Sequence, residues 1–454
     1  MRPFPPLAAA LLAATVAVVP AARAADPPPM ADWPTLLIAS PAAIVVPPPP
    51  GAAETAAELA ALRAASADRG PDLARRLRRW ETGGPVYLWN AATVAALVDR
   101  HLGNPPGSRA LALLHATLYD VSVVVAAAKA AHPRRPPAAQ DGALAVPGVR
   151  SPDASYPSEA AAMGAAATAL LGDLLPAEAA RFGALAAKGE RLRREAGLEF
   201  PSDAAAGRTI GEAVAALALA RARDDGFGRP WTGTIPTGPG RWVGTQPAVS
   251  GNATWRPWVL PSNDALRPPP PPAFDSPQVE AELAELRAYP RTPKATADAI
   301  FWNVHGGNRN FQFWNAELSR KALEYGLAEN APRMAAAFAA LAIAYHDGHI
   351  ACWDAKYTYW YIRPSQLDTR LTTVFPVASH PAYPSAHACL STSAATVLAA
   401  LFPDEATHYQ EMNRQAGESR MAAGVHYRFD VKAGQEIGRR AAALALARMA
   451  PALR

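Results

Sequence analysis

The chain has 454 residues, half of them hydrophobic and only 18% charged. That is apolar material for one large core or two ordinary ones, and the wrong composition for disorder throughout. A net charge of +5 is small for this length, and no block of like charges interrupts the sequence, which argues against a nucleic-acid partner.

In chain order, Arg2, the apolar stretch Leu7–Val19 and the small-residue pattern Ala22-Arg23-Ala24 read as a secretory signal over residues 1–24. Its apolar run is short for a bilayer, so the product is expected to be exported, to the periplasm or beyond. No later apolar run reads as long enough for a membrane helix, and no integral membrane segment is expected in the mature chain. Residues 25–52, ending in Pro47–Pro50, read as a flexible proline-rich N-terminus. Cys352 and Cys389 are the two cysteines; they could pair in an oxidising compartment or stay as free buried thiols.

Beyond this the chain is written twice, at an offset of 227 residues. Tyr156-Pro157-Ser158 lines up with Tyr383-Pro384-Ser385, Pro176 with Pro403, Arg193 with Arg420, Gly197 with Gly424 and Asp203 with Asp430. Gly207, Ile210 and Gly211 meet Gly434, Ile437 and Gly438; upstream, Asp120 meets Asp347 and Lys129 meets Lys356. Matching alanines count for little in alanine-rich helices; matching Pro, Gly, Asp and Arg point to two copies of one helical unit. The differences are informative too. His387 is answered by Ala160, His426 by Glu199 and Ser419 by Leu192, while Arg363 has only an offset echo in Arg135-Pro136. The full polar set sits in the second copy, and the first reads as its structural partner.

The organisation expected is a first helical bundle over 53–228, a Pro/Trp-rich connector over 229–275 and a second bundle over 276–454. Helical periodicity runs over Ser108–Lys129, Ser158–Leu174, Ala205–Asp224, Pro332–Tyr361, Ser385–Leu401 and Val431–Met449, with strand-like alternation nearly absent. The fold class expected is all-α, two packed bundles related by the repeat. The connector tryptophans, Trp231, Trp242, Trp255 and Trp258, are expected to pack against the bundles.

Three segments of the second copy carry chemistry. Lys356 and Arg363 stand seven apart, two helical turns, with Pro364 expected to end that helix; alone they could be a snorkelling surface pair. In Pro384-Ser385-Ala386-His387 a helix start presents free N–H groups, a hydroxyl and an imidazole, either an anion site or an ordinary cap. In Ser419-Arg420…His426…Asp430 the carboxylate four residues on can fix one imidazole nitrogen and leave the other free, unless the two form a plain surface pair. As a zinc site the set is poor. Two arginines, a lysine, a helix N-terminus and two histidines together describe a pocket for an oxyanion such as phosphate or vanadate.

These segments resemble the signature of the type 2 phosphatidic acid phosphatase and vanadium-dependent haloperoxidase superfamily: Lys-x6-Arg-Pro, then Pro-Ser-Gly-His, then Ser-Arg-x5-His-x3-Asp. Ten of its eleven specified positions are met, Ala386 standing where the family has glycine. The resemblance implies that Lys356, Arg363 and Arg420, with the Ser385 hydroxyl and the Ala386 amide, hold an oxyanion. It implies His387 as general acid/base. His426, oriented by Asp430, would ligate vanadium or attack phosphorus. The doubled length resembles the haloperoxidase branch, whose members oxidise halide with hydrogen peroxide at bound vanadate. The alternative is a phosphomonoesterase acting on a phosphate ester through a phosphohistidine, with no cofactor. A third reading is a non-enzymatic oxyanion binder. His380 resembles an accessory histidine of the bromoperoxidases, and His305 stands where the branch has an acidic residue bracing an arginine.

Overall fold

The structure, a computed structural model, describes Met30, residues 33–150, Pro152 and residues 154–453; the signal expected over residues 1–24 lies outside these. The first copy holds α1 (Ala52–Ala65), α2 (Leu73–Glu81), α3 (Gly84–Asp99), α4 (Asn104–Ala131), α5 (Pro137–Gln140), α6 (Glu159–Leu174), α7 (Ala179–Glu195) and α8 (Pro201–Arg223). The second holds α9 (Pro277–Ala288), α10 (Pro293–His305), α11 (Asn310–Glu324), α12 (Ala331–Tyr359), α13 (Pro364–Leu367), α14 (Ala386–Leu401), α15 (Ala406–Ala422) and α16 (Arg428–Leu453). The protein is all-α, and among the described residues the one extended pairing is an isolated bridge between Arg241 and Tyr361.

The repeat is structural. Helices α4 to α8 start at residues 104, 137, 159, 179 and 201, and α12 to α16 at 331, 364, 386, 406 and 428, a constant separation of 227. Pro137 therefore answers Pro364, and the position equivalent to Arg363 is Pro136, so Arg135 lies one residue out of register, as the sequence indicates. The shared glycines explain why the pattern holds. A Cβ on Gly434 or Gly438 would collide with the carbonyl oxygens of Ser385 and Cys389, and one on Gly207 or Gly211 with those of Ser158 and Ala162. In each copy the last long helix thus lies directly on the backbone of the helix that starts at the Tyr-Pro-Ser sequence, an approach that only glycine permits.

The copies join along α4 and α12, which share one apolar core. His115 stacks on Phe338 at 4.9 Å and the Tyr345 hydroxyl donates to Asn104 Oδ1 at 2.7 Å. Contrary to expectation, α4 is long and apolar enough to cross a membrane, but it is mostly buried at this interface. Each central helix also anchors a bent segment through a buried aspartate. Asp120 accepts the N–H groups of Leu36, Leu37 and Ile38 at 2.6–3.0 Å, and Asp347 those of Trp258, Val259 and Leu260 at 2.7–3.1 Å. Residues 33–50, expected to be loose, are docked from Leu36 to Ile38 for this reason. The connector is held likewise: Trp242 and Trp255 are buried, and Arg221 lies 3.8 Å from the Trp258 ring centroid. Cys352 on α12 and Cys389 on α14 form a disulfide with a Cα–Cα distance of 6.3 Å.

Replacing Gly438 by leucine is expected to destabilise the protein by about 1–3 kcal/mol through overpacking, whereas the exposed Leu444→Ala on the same helix should change little. Thermal denaturation of the two variants beside the wild type checks this.

Candidate functional site

The first segment departs from the helical reading. Helix α12 stops at Tyr359 because Trp360 takes a left-handed conformation (φ 51°), and the chain then turns away. Arg363 lies beyond the helix in extended backbone, and Pro364 opens α13 rather than closing α12. Lys356 and Arg363 therefore converge from different elements. The buried Lys356 ammonium lies beneath the loop leading to Ser385, where Nζ donates to the carbonyls of Pro381 (2.8 Å), Ala382 (3.0 Å) and Pro384. All three of its protons are spent on that loop, so Lys356 supplies charge and shape from behind and does not line the cleft.

Three tyrosines, at the end of α12, just beyond it and in this loop, tie the backbone to the connector. Tyr359, Tyr383 and Tyr361 donate to the carbonyls of Pro268 (2.6 Å), Pro269 (2.8 Å) and Pro272 (2.9 Å). The proline run of the connector is thus a strap across the backbone that carries Lys356, Arg363 and Ser385.

Helix α14 begins at Ala386 with Ser385 as its N-cap residue, yet the Ser385 side chain makes no capping bond and its buried Oγ has no hydrogen-bond partner. His387 projects from the first turn. Its ring packs against Gly306, where a Cβ would stand 2.5 Å from Cδ2, so the end of α10 must be glycine to let the imidazole in. His387 Nε2 lies 3.2 Å from Arg420 Nη1. Arg420 is held by Ser419 Oγ at Nε (3.0 Å) and by the Ala299 carbonyl at Nη2 (2.8 Å), with its guanidinium 5.2 Å from the Phe375 ring centroid.

His426 precedes α16, and Asp430 sits in its first turn. Their Nδ1···Oδ2 distance is 2.9 Å, and the same oxygen accepts the Tyr427 N–H at 3.1 Å. With Nδ1–H engaged, Nε2 carries the lone pair and receives Arg363 Nη1 at 3.1 Å. Arg363 also donates to the carbonyls of Val425 and His380, both at 2.9 Å, and lies 3.0 Å from His380 Nδ1.

The result is a cleft of about 50 Å3 lined by Asn303, Arg363, Phe375, His380, His387, Arg420 and His426 among others. At about 15 Å3 per water it holds a few waters or one small tetrahedral ion. Donors from Lys356, Arg363 and Arg420 go to carbonyls, a hydroxyl and imidazoles, with no ion pair to a carboxylate among the described residues. Burial lowers Arg363 to about 10 and Arg420 to about 9, so both remain cationic at neutral pH. Burial, then the nearby cations, hold His387 and His426 well below the ordinary imidazole value, so both rings are neutral. Burial pushes Asp430 up to about 7, with Lys356 and Arg363 pulling the other way. Two guanidinium groups with no carboxylate in contact, beside an unpartnered Ser385 hydroxyl, form a donor set that suits an oxyanion, and the neutral imidazoles add lone pairs. The described residues contain no group of His, Cys, Asp and Glu that could hold a metal ion by itself.

Of the residues singled out from sequence, Arg363, His380, His387, Arg420 and His426 meet at the cleft. Asp430 supports it through His426 and Lys356 through the loop it pins, while Ser385 and Ala386 open the helix that carries His387. His305 does not join them: its ring packs on Phe301 (4.6 Å) and Phe313 (5.6 Å), and the group steadying Arg420 is the Ala299 carbonyl. The contributions of Ala299, Gly306 and Phe375 went unread because a carbonyl or a contact surface has no residue-type signature.

The architecture is a doubled helical bundle with a small arginine- and histidine-lined cleft in its second copy. Residues 333–453 match the family model of the PAP2 superfamily. Among solved structures the chain is similar to the first bacterial vanadium-dependent iodoperoxidase (TM-score 0.62, 21% identity, covering 80% of this chain and 96% of that one). It is also similar to a bacterial vanadium-dependent chloroperoxidase in its apo form (0.54, 15%, 77% and 93%) and its holo form (0.51, 15%, 85% and 95%). No curated protein sequence matches. The family match thus falls on the segment from α12 to α16, and the whole chain shares the all-α fold of those bacterial enzymes.

Six buried histidines, His115, His346, His349, His380, His387 and His426, are held below their ordinary value, burial being the first cause in each. Their stability contribution is present above pH 6.5 and lost as pH falls, because only the unfolded chain takes up those protons. Asp120, Asp347 and Asp430 oppose this: burial raises them to about 6, 6 and 7, so the folded state takes up their protons first. Burial raises Glu159, Glu190 and Asp203 as well; but the imidazoles start from an ordinary value inside this pH range and the carboxyls from ordinary values below it, so the melting temperature is expected to drop between pH 7 and pH 5. A flat or rising profile would contradict the neutral-histidine assignment.

Proposed function

We propose that this protein is an exported, vanadium-dependent haloperoxidase-like enzyme that oxidises halide with hydrogen peroxide. The observation that carries the reading is the pair of buried arginines, Arg363 and Arg420, aimed at one small cleft without a carboxylate to neutralise them. Burying such charge is costly unless an anion completes it, and the fold is shared with vanadium-dependent enzymes. Arg363 and Arg420 would hold the oxygens of vanadate, joined by the orphaned Ser385 hydroxyl. His426 Nε2 would be its nitrogen ligand, and Lys356 would contribute positive potential through the loop it pins. Bound vanadate supplies a Lewis acid that activates peroxide without changing oxidation state.

The chain's own residues do the rest. Asp430 accepts from His426 Nδ1 and so keeps the Nε2 lone pair pointed into the cleft. His387 is neutral and can take a proton from incoming peroxide at Nε2 and return it to the leaving oxygen. The Cys352–Cys389 disulfide suits an oxidising compartment, in keeping with export directed by residues 1–24. The same His426–Asp430 pair also has the geometry of a phosphohistidine nucleophile, which keeps phosphomonoester hydrolysis as the second reading.

A paired assay on one chelator-stripped sample separates the two. One half receives orthovanadate, peroxide and bromide or iodide with a halogen-accepting dye; the other receives a chromogenic phosphate ester. Vanadate-dependent halogenation suppressed by phosphate is expected, and His426→Ala should lower it at least a thousandfold. Ester hydrolysis without halogenation would assign the cleft to phosphate chemistry, and an active His426→Ala enzyme would refute the site itself.

A further inference from the structure

The first copy lacks both histidines, yet its corresponding region is not empty. Ser158, equivalent to Ser385, donates from Oγ to Glu199 Oε2 at 2.6 Å. Arg193, equivalent to Arg420, donates from Nε to the same oxygen at 3.0 Å. Glu199, equivalent to His426, is 1% exposed. Its other oxygen, Oε1, is buried without a hydrogen-bond partner. Arg193 is paired a second time, with Glu81 of α2. Asp203, equivalent to Asp430, is bound by Arg134 at 2.7 Å.

The contrast between the copies is specific. In the second copy the Ser385 hydroxyl is unpartnered and Arg420 has no carboxylate; in the first, the equivalent hydroxyl and guanidinium converge on one carboxylate oxygen. Beside them is a cavity of about 130 Å3 lined by Ala160, Arg193, Glu81 and Trp80. Ala160 is the position at which the second copy carries the His387 imidazole.

We propose that the first copy is an oxyanion cradle occupied by its own ligand, the Glu199 carboxylate, and that deleting this side chain creates a site for a small carboxylate or phosphate. The inference rests on the hydrogen bonds of the first copy and holds whichever anion the second copy takes. One oxygen of Glu199 stands where an oxyanion oxygen would accept from Ser158 and Arg193. The charge that an external anion brings to the second copy is here built into the chain, which leaves the first copy closed to external ligands and its two cationic side chains permanently paired.

The test is chemical rescue in the full chain. Glu199→Ala removes about the volume of acetate, and its melting temperature is expected to rise by several degrees, saturably, with millimolar acetate or inorganic phosphate at constant ionic strength. Wild type should show no such rise with acetate, and Ser158→Ala/Glu199→Ala should lose most of it. An acetate response equal in wild type and Glu199→Ala, or none in either, would overturn the proposal. Should Glu199→Ala fail to fold, Glu199→Gln keeps the shape and removes the charge. The proposal expects at least a tenfold loss in its folding equilibrium constant, read by denaturant titration, and a Glu199→Gln protein as stable as wild type would refute it.

Discussion

Everything around the cleft follows from one electrostatic constraint: Lys356, Arg363 and Arg420 are buried without carboxylate partners. Charge taken out of water needs compensation, and the chain supplies it only in part, with backbone carbonyls. Lys356 spends its protons on three carbonyls of one loop, Arg363 on those of Val425 and His380, and Arg420 on that of Ala299. Each cation therefore fixes backbone. The proline strap under Tyr359, Tyr361 and Tyr383 ties that loop and the end of α12 to the connector. The charges of the site are thus also the fastenings of its scaffold.

The repeat shows how the same scaffold behaves with and without that constraint. Both copies keep the glycine-permitted helix crossing and the aspartate that anchors a bent segment. They part at the oxyanion position. The first copy resolves its buried charge internally through Glu199–Arg193–Glu81 and Asp203–Arg134; the second leaves it open. Duplication gives the open copy a closed partner whose helix α4 buries one face of α12, and α12 carries Lys356.

The all-α class, the repeat and its register were legible in the sequence because Pro, Gly, Asp and Arg recur at one offset, and those residue types have few interchangeable roles. The polar constellation was legible because its residues match a motif of fixed spacing. What stayed hidden lies in backbone conformation and carbonyl partners. The left-handed turn at Trp360 moves Arg363 off the helix of Lys356, though a spacing of seven suggests a shared face. Lys356 looked like a ligand to the anion, and only the geometry shows its protons taken. Residues 33–50 look unstructured by composition, yet Leu36–Ile38 are ordered by Asp120, a partner more than eighty residues away. Glu199 looked like the loss of a histidine; its bonds to Ser158 and Arg193 give it a different part.

The central claim is that the chain has one open oxyanion cradle and one closed. Titration calorimetry of the chelator-stripped protein with orthovanadate tests it most directly. The account expects a single saturable site per chain, competitive with phosphate and lost in Arg363→Ala. Two equivalents per chain, or no binding at all, would contradict it.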